Sequence, residues 1–154
     1  MATLILYTLS VQANRAVPDH AFTPVPRFRA IVLYENGGHH LAYTRAAIPW
    51  LNQLAKDSNF EIKYLIHAGD INDSLLNQCD LFIQLDYPPY GWPPQAVRAF
   101  EHFMEEGRGG WIGFHHASLV GAFDGYPVWQ WFSDFMGGIL FKNYIPGFAD
   151  GMVQ

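Results

Sequence analysis

Four short apolar runs stand apart along the chain, and each is separated from the next by a segment with helical character. The runs are Arg29–Tyr34, Phe60–Ile66, Leu81–Leu85 and Gly110–Phe114. Between them, Tyr43–Asp57 puts Ile48, Leu51, Leu54 and Ala55 on one helical face, with Pro49 in its first turn or at a kink. Asp73–Gln78 is a short helix that Asn72 can cap. Pro94–Glu106 turns Val97, Phe100, Phe103 and Met104 inward, with a proline at its start. A further helix, Pro127–Met136, aligns Val128, Trp131, Phe132 and Phe135, and Ile139–Ile145 reads as a fifth strand. Strands alternating with helices predict an α/β fold with helices on both faces of the sheet. The expected architecture is a flavodoxin-like three-layer sandwich with a mostly parallel sheet in the order 2-1-3-4. Gly110–Phe114, with its two internal glycines, reads as a fully buried parallel strand.

The remaining segments set the domain boundaries. Residues 1–27 form an N-terminal arm, because Pro18, Pro24 and Pro26 keep the approach to the first strand extended. Residues 28–154 form the α/β domain. Residues 2–13 fit either a degenerate signal segment or an edge strand, which leaves cytoplasmic and exported destinations open. The last strand falls close to Gln154, so the domain is expected to be partial, with a missing segment or a homo-oligomer completing the sheet. A net charge of -5 with nine Lys and Arg residues argues against a nucleic-acid partner. No apolar run reaches membrane-spanning length. A single cysteine, Cys79, excludes an internal disulfide and reads as buried packing.

In an open parallel sheet, ligands bind beyond the carboxyl ends of the strands. Three such loops hold Glu35–His40, Asp86–Trp92 and His115–Asp124. The expected strand order brings His40, Asp86 and His115 within reach of one another, with His39 and His116 alongside. Imidazole carries protons near neutral pH and ligates metals, and Glu35 or Asp86 could orient a ring. An acid–base site of His40, Asp86 and His115 is therefore the leading reading, and a transition-metal site the weaker one. Neither His pair has the spacing of a His-Glu-x-x-His helix. The competing structural reading is that one His of each pair binds a backbone carbonyl and steadies its loop. Tyr87, Tyr90 and Trp92 share a proline-stiffened loop that suits the C–H faces of a sugar, or else packs as a lid. No Gly-x-Gly-x-x-Gly or Walker pattern occurs, and no residue stands out as a covalent nucleophile.

Three motifs carry a family resemblance: Gly37-Gly38-His39-His40, Leu85-Asp86-Tyr87-Pro88-Pro89 and Gly109–Ser118. Together with Phe132–Gly138 they resemble the ThuA-like, trehalose-utilisation family over residues 28–148. That family is similar in fold to class I glutamine amidotransferases, whose Cys nucleophile is replaced here by His115. The resemblance implies a carbohydrate-processing enzyme using His-based acid–base or metal-assisted chemistry on a sugar derivative. His40, Asp86 and His115 would be catalytic, and Glu35, His39, Tyr87, Tyr90, Trp92 and His116 would bind substrate. The alternatives are a non-catalytic sugar-binding or structural module, or an inactive fragment of a longer enzyme. Neither the residues nor the resemblance names a cofactor.

Overall fold

A computed structural model of the chain describes residues 25–142, the side chain of His39 excepted. Residues 1–24 of the N-terminal arm, with the proposed signal segment, and residues 143–145 of the expected fifth strand fall outside the described residues. Four strands are formed: β1 (Arg29–Leu33), β2 (Glu61–Leu65), β3 (Leu81–Gln84) and β4 (Gly110–Gly113). They make one sheet in the order β2-β1-β3-β4, and every pairing is parallel. Four helices connect or follow them: α1 (Leu41–Ser58), α2 (Asp73–Leu76), α3 (Pro94–Glu105) and α4 (Gln130–Phe135).

Side chains alternate between the two faces of a strand, and the core divides accordingly. Ala30, Val32, Ile83 and Leu85 face one way and pack on Leu51 and Ala47 of α1. Ile31, Leu33 and Phe82 face the other way, against Leu76 of α2, Phe100 and Phe103 of α3, and Phe132 of α4. The result is three layers, with α1 the one described helix on its face. The second face is held largely by aromatic rings. Phe100 meets Phe82, Trp92, Trp129, Trp131 and Phe132 at centroid separations of 5.2–6.2 Å. Such edge and tilted contacts stabilise beyond their buried area. Cys79 lies in this core, where burial pushes its thiol up to about 11, leaving it protonated and inert.

Several sequence expectations change. α1 begins at Leu41 and runs through Pro49, which sits inside the helix rather than in its first turn. α4 begins at Gln130, not Pro127: Trp129 stays extended and its indole N–H donates to Glu101 of α3 at 2.8 Å. Residues 139–142 form no strand. Their described contacts include Phe141 N–H on the Val120 carbonyl and Ser133 Oγ on the Ile139 carbonyl. β4 is not fully buried. It is one of the two edge strands among the described residues, and Ile112, in register with Ile83 on the α1 face, is 44% exposed. Ile112 takes no part in the core that α1 makes on that face. The Asn72 cap is as expected, its side chain accepting from Leu75 N–H at 2.9 Å.

Gly109 brings the chain into β4 against the previous crossover. A Cβ there would lie 2.5 Å from both the Asp80 carbonyl oxygen and Phe103 Cζ. The first of these is backbone and cannot swing aside. Gly109→Ala is therefore expected to lower unfolding stability by about 1–3 kcal/mol, the usual cost of overpacking. Urea denaturation checks this; an unchanged midpoint would mean that the crossover is looser than described.

Candidate functional site: an imidazole cluster on the sheet rim

Register determines which loops meet. Leu33 pairs with both Leu65 and Gln84, and Gln84 with Gly113, so four strands end level with one another. Glu35, His67, Asp86 and His115 each stand two residues beyond those level ends. One rim thus receives the exits of all four strands, as expected for ligand sites in parallel sheets.

The β1 exit turns at Gly38, whose φ of +70° is a left-handed conformation that glycine adopts without strain. A 3-10 turn over Gly38–His40 follows, and His40 sits immediately before α1. The β4 exit makes a comparable turn at His115, a non-glycine residue with φ +47°. That backbone lays the His115 and His116 rings side by side, with centroids 4.4 Å apart and planes inclined at 15°. His40 meets both rings edge-on, at 4.6 Å and 4.2 Å. Its Nε2 lies 3.1 Å from Nε2 of His116. His115 is exposed; His40 and His116 are half-buried.

Asp86 corrects the sequence reading. Its carboxylate is fully buried and faces α1 and the β1 exit rather than an imidazole. One oxygen accepts from Glu35 N–H and the other from Thr44 Oγ1, each at 2.8 Å. These bonds make it a strut for the loop that carries His40, not an orienter of the ring. A second buried polar residue, Gln84, plays a similar part. Its amide donates to the Tyr87 carbonyl at 2.6 Å and accepts from the Trp111 indole at 3.2 Å, tying the β3 exit to β4. Glu35 is half-buried, and its carboxyl is held above the ordinary value of 4.5. Burial is the main cause, with repulsion from Asp86 adding to it and attraction from His40 opposing it.

Beside the imidazoles lies an open cleft of about 540 Å³, with Glu35, His67, Tyr87, Tyr90, Asp124 and Tyr126 among its lining. A second hollow of about 450 Å³ touches His115 and His116 directly, with Phe123 and Phe141 opposite. Trp92 is the other correction. It is buried, meets Phe82, Phe100 and Trp129 in tilted and edge contacts, and donates its indole N–H to the Pro88 carbonyl at 2.9 Å. The loop is anchored through Trp92 and offers tyrosines to the cleft. His39 belongs to the same 3-10 turn as His40, but its side chain is outside the described residues. Sequence reasoning did not single out His67, Asp124 or Tyr126. His67 follows a strand at its carboxyl end, a signal that was available. Asp124 and Tyr126 enter through an irregular loop with φ +50° at Asp124, which no periodicity announces.

The ThuA family, described as trehalose utilisation, matches residues 29–153. The chain belongs to the ThuA family. A ThuA-like protein from Bacteroides uniformis, solved by crystallography, shares 26% identity with a TM-score of 0.66 over 87% of this chain. This chain spans 50% of that protein's length. Among curated proteins there is no match. The ThuA motifs read in the sequence, Gly37–His40 and Gly109–Ser118, are the segments that supply the clustered imidazoles.

Two outcomes follow from the carboxylates of this ThuA site. Asp86→Ala leaves the Thr44 hydroxyl and the Glu35 N–H without their acceptor, so a loss of about 2–4 kcal/mol is expected; an unchanged thermal midpoint would refute the strut. For Glu35, a raised folded-state pKa means that ionisation opposes folding. Above the folded pKa the penalty is fully present; below the ordinary value of 4.5 it vanishes. Glu35→Gln should therefore raise the melting temperature relative to wild type at pH 7 and leave it nearly unchanged at pH 4. Equal shifts at both pH values would contradict the assignment.

Proposed function

We propose that this rim is the site of an enzyme acting on a sugar derivative. The convergence of His40 with His115 and His116 beside a tyrosine-lined cleft carries that reading. Tyr87, Tyr90 and Tyr126 give the cleft flat apolar faces that suit the C–H surfaces of a pyranose ring. Glu35, Asn36 and Asp124 bring acceptors for hydroxyl protons to the same cleft. His115 and His116 line the second hollow rather than this cleft, and an imidazole can take or return a proton near neutral pH. Membership of a family named for trehalose utilisation supports a carbohydrate rather than another polyol-like ligand. Within this reading His40 is the principal proton carrier, because the strut from Asp86 steadies its loop and Glu35 lies within electrostatic reach.

The test is turnover of a panel of glycosides, disaccharides and keto-sugars, followed by product analysis. His40→Ala should lower kcat by about 10²–10⁴, the range of a general acid–base group, with circular dichroism unchanged. Sugar binding without turnover would replace the enzyme with a binding module. Neither binding nor turnover on any member of the panel would remove carbohydrate from the account altogether.

A further inference from the structure

We propose that His40, His115 and His116 form the ligand set for one divalent transition-metal ion. The three residues each offer a ring nitrogen, and those atoms all lie within 4.8 Å of one another. Two nitrogens bound to one ion at 2.0–2.1 Å are separated by about 2.9–3.4 Å, depending on tetrahedral or octahedral geometry. The 3.1 Å separation of the His40 and His116 Nε2 atoms already falls in that range. The His115 ring nitrogen lies within 4.8 Å of the other two, and the exposure of that residue leaves its ring room to turn.

The donor chemistry narrows the ion. The cluster contains three imidazoles and no carboxylate. Calcium and magnesium prefer oxygen ligands, whereas imidazole suits zinc, cobalt, nickel and copper. A hydrogen bond between two of the rings uses one proton and makes no demand for a third ring. A metal ion gives all three the same partner, replacing the His40–His116 bond by stronger ones. The ligands also come from two loops that meet only in the folded chain, so binding would lock the β1 exit to the β4 exit. Three protein nitrogens leave a coordination position open, and His115 and His116 border the 450 Å³ hollow. Water or a ligand oxygen can occupy it there. With the ion bound, the His40 ring nitrogen is a ligand and cannot also carry the proton, so this inference replaces the role given to His40 above, while sugar binding stands or falls on its own test.

The experiment is titration of the chelator-treated full chain with Co²⁺, read by its visible absorption, and with Zn²⁺, read by calorimetry. One ion per chain is expected. His40→Ala and His116→Ala should each weaken binding at least about 100-fold, the upper end of what even outer-shell changes cost. His102→Ala, on the exposed side of α3 beside Asp73, should leave it unchanged. Because an alanine variant can fail to fold, ¹⁵N histidine spectra of the unmodified chain supply a second readout. Zn²⁺ should move the ring nitrogens of His40, His115 and His116 and leave those of His67 and His102 in place. Absence of one-to-one binding by either metal would overturn the proposal. So would binding that survives both His40→Ala and His116→Ala, or spectra in which other histidines move instead.

Discussion

Parallel pairing in a shared register is the constraint on which the rest of this molecule rests. Backbone hydrogen bonds hold Leu33 level with Leu65 and Gln84, and Gln84 level with Gly113. Since side chains reverse face at each residue, a slip of one position in any strand would turn its buried set outward. Phe82 would leave the aromatic face and Ile83 would enter it. The hydrophobic division of the core therefore protects the register, and the register decides that four strand exits share one rim. Chemistry enters at these exits because the scaffold is used up in placing them.

Polar groups in the interior then convert a shared rim into a defined site. Asp86 and Gln84 are both fully buried, where an unpaired polar group would be costly. Each is satisfied within reach of the rim: Asp86 by Glu35 of the β1 exit and Thr44 of α1, Gln84 by Tyr87 of its own exit and Trp111 of β4. These bonds couple β1 to α1 and β3 to β4. They narrow the freedom of the loops that hold His40 and the tyrosines, while His115 is set by its own left-handed backbone. The cluster of rings is thus the outcome of supports that lie beneath it and touch no ligand.

Much of the fold was legible before any coordinates. Apolar runs of strand length separated by helical periods led to the order 2-1-3-4, and the Gly-Gly-His-His turn and the His115–His116 exit led to clustered imidazoles. The misreadings share one cause. Asp86 stands at a strand exit beside histidines, and sequence proximity to a site made it look reactive; its burial against Thr44 is a tertiary fact. Trp92 shares a loop with Tyr87 and Tyr90, but its large ring fills the core while theirs line the cleft. β4 looked buried because its residues are apolar. It is an edge strand of the described sheet, and Ile112 takes no part in the core that α1 makes on that face.

What the sequence by itself determined is local and periodic. It determined where strands and helices fall, which faces are apolar, and which residues stand at the strand exits, because hydrophobic period and backbone restriction act over a few residues. Tertiary structure alone decided which of those residues meet. The 3.1 Å approach of His40 to His116 joins positions 76 residues apart, and the strut from Asp86 to Glu35 spans 51. Such distances depend on register, rotamer and the competition of buried groups for partners, and none of these is written in the spacing of residues along the chain.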